Sequence, residues 1–252
     1  MNDAQRPLTA AETSPAAAAQ RIVVHKIAPA WGLPSVGPFT LKLEAWLRMV
    51  GLPYESVVDA TPFRGPKGKL PWIEHEGRVI GDSNFIIDYL GSRYGVDLDR
   101  DLTAAQRGCA QGLLRLLEEN LYWVMVYSRW FEEANWKIFR PVVLGGLPAP
   151  MRMLISVPAR RGVRRQLLGH GIGLHSREEI YSIGERDVNA VADVLGDQPY
   201  LMGGQATRID AAAYGLLANI LLVPIPSPAR EAGLARRNLV DYLERIRGRW
   251  FA

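Results

Sequence analysis

Apolar positions recur in two rhythms along this 252-residue chain, and the change from one to the other divides it. Arg21–Ile27 (RIVVHKI) has the β-branched density of a buried first strand. Leu43, Trp46, Leu47 and Val50 then recur at helical spacing, with Pro38 suited to a first helical turn and Gly51 as the stop. Tyr54–Val58 supplies a second strand, and a parallel β–α–β crossover between the two would be right-handed. Trp72–His75 and Arg78–Ile80 read as a hairpin turned at Glu76-Gly77, after which Asp82-Ser83 opens an amphipathic helix through Asn84–Tyr94. Pro62, Gly65, Pro66 and Gly68 crowd the link between the second and third strands, leaving room for one helical turn or none.

Beyond a linker over Gly91–Arg100 the rhythm becomes helical. From Thr103 a stripe of Leu113, Leu116 and Leu117 continues through Tyr122, Trp123, Val126, Tyr127, Trp130 and Phe131, and Pro141 is the expected end of that helix. Trp123, Tyr127 and Trp130 fall at i, i+4, i+7, so three rings share one face, either as bundle core or as the wall of a substrate pocket. Residues 141–175 carry no clear period; Met151, Met153, Leu154 and Ile155 precede Arg160, Arg161, Arg164 and Arg165, a basic amphipathic run that is either a solvated face or a peripheral membrane contact over 151–165. Ser176 with Glu178-Glu179 starts a further helix to about Gly196. Thr207-Arg208-Ile209-Asp210 has a capping-box spacing ahead of an apolar helix, Ala211–Val223, and Arg236–Arg249 closes the chain as an amphipathic helix.

A formal charge of +4 is mild, and acidic residues are interspersed with the basic ones, which argues against nucleic acid as a partner. The single cysteine, Cys109, excludes an internal disulfide and a cysteine-based metal cluster, and a reducing, cytoplasmic location is the natural expectation. His170 and His175 lie in a glycine-laced stretch that fixes neither on a helical face, so no metal site is expected. Residues 1–20 lack a continuous apolar core and read as a disordered leader, not a signal peptide. The longest apolar run, Ala211 to Ile225, is interrupted by Asn219 and Pro224 and is too short to span a bilayer.

Candidate chemistry gathers in GKLPWIEHEGRVIGDSNFIIDYL, residues 68–90. Pro71 precedes a strand, where a proline withholds no ladder donor, and it is the candidate for a cis bond. Asp82-Ser83 stands at a helix start, where free N–H groups favour a carboxylate. Read without any relative, these are a turn proline and an N-cap.

Their order resembles the thioredoxin-like domain of glutathione transferases, and PYLMGGQATRIDAAAYG resembles the buried helix of that family's C-terminal domain. PFTLKLEAWLRMVGLPYE, ENLYWVMVYSRW and GHGIGLHSREEI look most like its Fax (failed axon connections) and metaxin-like branch. The resemblance implies an α/β plus all-α chain: an N-terminal thioredoxin-like domain of βαβ(α)ββα order over residues 21–98 and a C-terminal helical bundle over 99–252. It further implies glutathione bound by Leu70, Pro71, Asp82 and Ser83, a hydrophobic small-molecule electrophile near Trp31, Phe39, Trp123, Tyr127 and Trp130, and a homodimer as an open option.

The pattern departs from catalytic relatives at Gly37, which stands where a Cys or Ser is expected at the start of the first helix. A thiol attacks as thiolate, so its pKa must fall from about 8.5. Ser35 and Thr40 are the nearest hydroxyls for that work, with His25 and Trp31 more distant. Two readings follow: a glutathione transferase, or a non-catalytic binding or scaffold protein that kept the fold. A glutaredoxin-like reductase is disfavoured, because Cys109 lies far outside the active loop.

Overall fold

In the computed structural model, residues 21–59 and 64–252 are described; the expected leader and part of the link after the second strand lie outside them. Strands β1 (Val23–Lys26), β2 (Glu55–Val58), β3 (Trp72–His75) and β4 (Arg78–Gly81) form one sheet in the order β2-β1-β3-β4. β1 runs parallel to β2, with Val24 opposite Ser56, and antiparallel to β3, with Val24 opposite Ile73. With α1 (Pro38–Met49) between the first two strands and α2 (Ser83–Tyr94) after the hairpin, this is the thioredoxin-like arrangement expected. Residues 64–70 contain no α-helix, within the one turn or none that the sequence leaves room for.

Helix α1 is buried on nearly every side, not along a single stripe: Lys42 and Glu44 are as inaccessible as Leu43 and Trp46. The reason lies in its second neighbour. Helix α8 (Arg208–Leu221) packs against the face of α1 turned away from the sheet, and Gly215 permits the approach, because a Cβ there would lie 2.6 Å from the Pro38 carbonyl and 2.8 Å from the Lys42 nitrogen. Buried charges on α1 are therefore paired: Glu44 accepts from Lys26 at 2.5 Å and from Ser56 at 3.1 Å.

The expected single helix from Thr103 to Pro141 is divided. Helix α3 (Ala104–Arg115) passes into a π-helical segment, Leu116–Leu121, then α4 (Tyr122–Phe131); the chain turns at Glu132 (ψ 115°) into α5 (Glu133–Val143), with Pro141 inside the last turn. The π segment admits one more residue per turn, so the stripe continues across it while the helix changes phase. Residues 149–170 form one helix, α6 (Ala149–His170), with Pro150 in its first turn. Leu154 and Val157 are exposed on it, but Arg160 is not free for a membrane: it donates to the Trp130 carbonyl at 2.9 Å and pairs with Glu133 at 3.0 Å. A short turn, Ile172–Leu174, leads to α7 (Arg177–Leu195); after α8 come α9 (Pro228–Ala235) and α10 (Arg237–Trp250). None of the described helices is long and apolar enough to cross a membrane.

At the start of α8 the acid is the hub. Asp210, fully buried, accepts from the Thr207 N–H (2.7 Å) and hydroxyl (2.8 Å), the Leu201 N–H (2.9 Å) and the Tyr242 hydroxyl (2.9 Å), which ties the cap, the preceding loop and α10 together. Thr207→Ala removes one of these donors and is expected to lower stability by about 1 kcal/mol. Thermal melting should show the loss while ligand affinity stays unaltered.

Candidate functional site

The Leu70–Pro71 bond is cis, and Pro71 is buried directly ahead of β3. Its carbonyl accepts from the Asp82 N–H at 3.4 Å, so the two segments singled out in the sequence are adjacent. Asp82 caps α2, its carboxylate accepting from the Asn84 N–H at 2.9 Å, and does so at φ 84°, ψ 120°. That region suits glycine and is costly for aspartate, and such conformations persist where the surroundings fix them, commonly at ligand sites. Ser83 is buried at the first position of α2, while Asp82 is exposed and 3.8 Å from Lys67. An open helix N-terminus with an exposed acid and an adjacent lysine can take the amino and carboxylate groups of a zwitterion.

Behind this turn lies a polar cluster that periodicity could not reveal. Asn84 accepts from Lys42 at 2.6 Å and from Arg208 at 3.1 Å, and donates to Glu118 at 2.8 Å; Lys42 also donates to Glu118 at 2.5 Å. Arg208 reaches Asp88 as well. Burial lowers the Lys42 pKa, with the Glu118 carboxylate opposing that shift. The first turn of α2 is thus bound to α1, the π segment and α8 together, and it cannot shift without disturbing the domain contact.

The other pole is the start of α1. Gly37 is its N-cap, with φ −90° and ψ 113°, an ordinary extended conformation. Pro38 has no N–H, so the Phe39 and Thr40 amides are the first-turn donors without an acceptor in the helix. Of the two hydroxyls expected to serve a thiolate, Ser35 is committed elsewhere: fully buried, it accepts from the Gly37 N–H at 3.1 Å and donates to the Ile27 carbonyl at 3.4 Å. Thr40 is also buried, but its Oγ1 has no partner among the described residues. His25 is held between Asp59 (2.9 Å) and Glu74 (3.1 Å) and stacked on Trp72 at 3.4 Å, which engages the whole imidazole in the sheet.

The aromatic residues expected near the electrophile fall into separate ring groups. Phe39 meets Tyr122 at 4.8 Å, Tyr122 meets Trp123 at 5.1 Å and Trp123 stacks on His170 at 4.9 Å, a line of rings from α1 to α6. Tyr122 joins α1 to α4 through Phe39. Tyr127 pairs with Phe131 and Tyr181, whereas Trp130 packs into Trp136 and Phe139. Trp31, half-buried at φ 54°, joins none of these ring pairs among the described residues.

The glutathione S-transferase N-terminal domain profile matches residues 38–135, and the C-terminal domain profile matches residues 184–246. The isoprene-epoxide–glutathione S-transferase of Rhodococcus sp. (strain AD45) is 34% identical, across 90% of this chain and 98% of that protein. The chain belongs to the glutathione S-transferase family. Failed axon connections of Drosophila melanogaster is 35% identical over 87% of this chain but 55% of its own length, and Metaxin-1 of Mus musculus is 28% identical over 88% and 72%, as the Fax/metaxin-like branch requires. Glutathione transferase GSTFuA3 from Phanerochaete chrysosporium shares the fold at a TM-score of 0.62 and 20% identity, covering 92% of this chain and 98% of that one. A Methylobacterium radiotolerans glutathione S-transferase in complex with glutathione sulfonate does so at 0.58 and 20%, covering 91% and 92%. In this transferase-family chain, Cys109 is exposed on α3, and the described residues contain no group suited to a metal ion.

Proposed function

We propose that the protein is a glutathione transferase in which the glutathione thiolate attacks a hydrophobic, electrophilic small molecule held between the domains. The observation that carries this reading is the pairing of two open helix starts in one thioredoxin-like unit: α2, with Asp82 held at positive φ beside buried Ser83, and α1, with the Phe39 and Thr40 amides and the unpartnered Thr40 hydroxyl. On this reading Leu70, Pro71, Asp82 and Ser83 hold glutathione, and the α1 start faces its sulfur. Phe39, Tyr122 and Trp123 supply an apolar wall. Glutathione gives its thiol proton to solvent, sulfur bonds to the electrophilic carbon as the carbon–heteroatom bond breaks, and the heteroatom keeps that bond's electron pair and takes a proton from solvent; in an epoxide that oxygen stays on the product as a hydroxyl.

The Rhodococcus relative's name supports catalysis and makes a small apolar epoxide the first electrophile to try. Gly37 and the Fax and metaxin relatives favour the second reading, a non-catalytic scaffold of the same fold. A cytoplasmic homodimer belongs to the first proposal. Titration calorimetry with reduced glutathione separates the two readings: the transferase binds it and then consumes an aliphatic epoxide, whereas no heat of binding would leave the scaffold.

A further inference from the structure

Among the described residues, the buried cation Arg129 has no carboxylate partner. It lies on α4 at 3% exposure; Nη1 donates to the Val36 carbonyl at 2.9 Å, and Nη2 donates to the Asn219 carbonyl at 2.5 Å and the Asn219 Oδ1 at 3.0 Å. Its guanidinium sits over the Phe139 ring at 5.1 Å. Each acceptor is an uncharged oxygen, although the Asn219 carbonyl is among the last of α8, where the helix dipole is partly negative. The titratable neighbour acting on it is the Tyr122 phenol, which burial keeps protonated. Burial lowers the guanidinium pKa to about 10, so it remains charged at neutral pH.

A buried charge is expensive unless an opposite charge offsets it, and a neutral side chain could tie α4 to α8 at less cost. The place of the charge suggests what offsets it. Val36 is the residue before Gly37, so the guanidinium grips the peptide that leads into the N-cap of α1. The same pole carries the Phe39 and Thr40 amides, and an anion there would meet the amides and the charge together.

We propose that Arg129 is a positioning residue for the Val36–Gly37 peptide whose charge, paired with no carboxylate among the described residues, lowers the pKa of glutathione's thiol at the start of α1, in place of the hydroxyl that Gly37 lacks. The proposal deepens the transferase reading and rests on it. Arg129 acts through the backbone and the field, not by touching sulfur. A unit charge about 10 Å away, at an effective dielectric of about 20, shifts a thiol by on the order of one pKa unit.

The test is ultraviolet titration of the thiolate of bound glutathione, with the pH profile of kcat/KM, in the wild type, Arg129→Lys, Arg129→Met and Asn219→Asp. Arg129→Lys keeps the charge and should keep the pKa within a few tenths. Arg129→Met removes the charge and should raise the thiol pKa, and the acid limb of the profile with it, by about one unit. Asn219→Asp covers the case in which the methionine variant fails to fold. It places a carboxylate where an amide oxygen already accepts from Arg129, giving up one bond to the Gly215 carbonyl, and it should raise the pKa by neutralising the cation in place. An unchanged thiol pKa in Asn219→Asp, or in a folded Arg129→Met, would overturn the role of Arg129 while leaving glutathione binding intact. No glutathione binding to the wild type would bring down the transferase reading itself.

Discussion

Replacing Asp82 and Ser83 together by alanine should weaken reduced glutathione by about 2–4 kcal/mol, because charge-assisted hydrogen bonds at a helix start are lost with no replacement. The conformation of Asp82 complicates that variant. At φ 84° an alanine suffers the same backbone cost as aspartate without returning the cap to Asn84, so part of the observed loss would be a softened α2. Asp82→Gly with Ser83→Ala separates the effects: glycine tolerates positive φ and retains most of an N-cap's worth, so stability should hold while affinity falls. Calorimetry and melting of both doubles decide the matter. A glycine variant that binds glutathione as tightly as the wild type would reduce the pair to a plain cap and take the proposed binding site with it.

The clarity of that site in the sequence follows from the kind of signal it leaves. A proline ahead of a strand, a two-residue turn and an Asp-Ser helix start are local, and each predicted element from β1 to α2 has its stop or cap within a few positions. What remained hidden depends on partners far along the chain. Lys42 and Glu118 are 76 residues apart, Arg129 and Val36 are 93, and Asn84 and Arg208 are 124. A helix pattern reads Lys42, Glu44 and Arg129 as surface, because the opposing element that buries them has no trace in their own neighbourhood. The π segment at Leu116–Leu121 was hidden for another reason: apolar residues continue through it, so the stripe persists while the phase does not. Tyr122 follows that segment directly, and the i, i+4, i+7 spacing of Trp123, Tyr127 and Trp130 leaves bundle core and pocket wall both open, since it does not show that Trp130 packs against Trp136 and Phe139. Residues 149–170 contain Pro150 and Pro158 and show no strong period, yet they form one helix on which Leu154 and Val157 are exposed, so no buried face imposes a spacing there.

Gly37 offers the largest gain of activity. Its φ of −90° is open to any residue, so the backbone does not exclude a side chain. An added Cβ would lie 3.3 Å from the Thr40 Oγ1, 3.4 Å from the Ile27 Cδ1 and 3.5 Å from the Ser35 Oγ, a close fit that a few tenths of an ångström relieves. A new hydroxyl or thiol there would stand beside the unpartnered Thr40 hydroxyl at the pole of α1. Gly37→Ser should raise kcat/KM for conjugation by about ten- to a hundred-fold if a directional donor to the thiolate is what the wild type lacks. Gly37→Cys should acquire glutathione-dependent reduction of small mixed disulfides, absent from the wild type, because the helix start and Arg129 would lower the new thiol's pKa from about 8.5. The cysteine attacks the glutathione sulfur of the mixed disulfide, expelling the other thiol, and a free glutathione then attacks the protein–glutathione disulfide, regenerating the cysteine and leaving as oxidised glutathione, so electrons balance with glutathione as the reductant. The thiol pKa of bound glutathione separates the alternatives. A pKa already depressed in the wild type, with little gain in Gly37→Ser, would mean that the amides, Thr40 and the buried charge suffice without a residue-37 hydroxyl. An unshifted thiol in both proteins would sink the enzyme reading and leave a transferase fold that binds without activating.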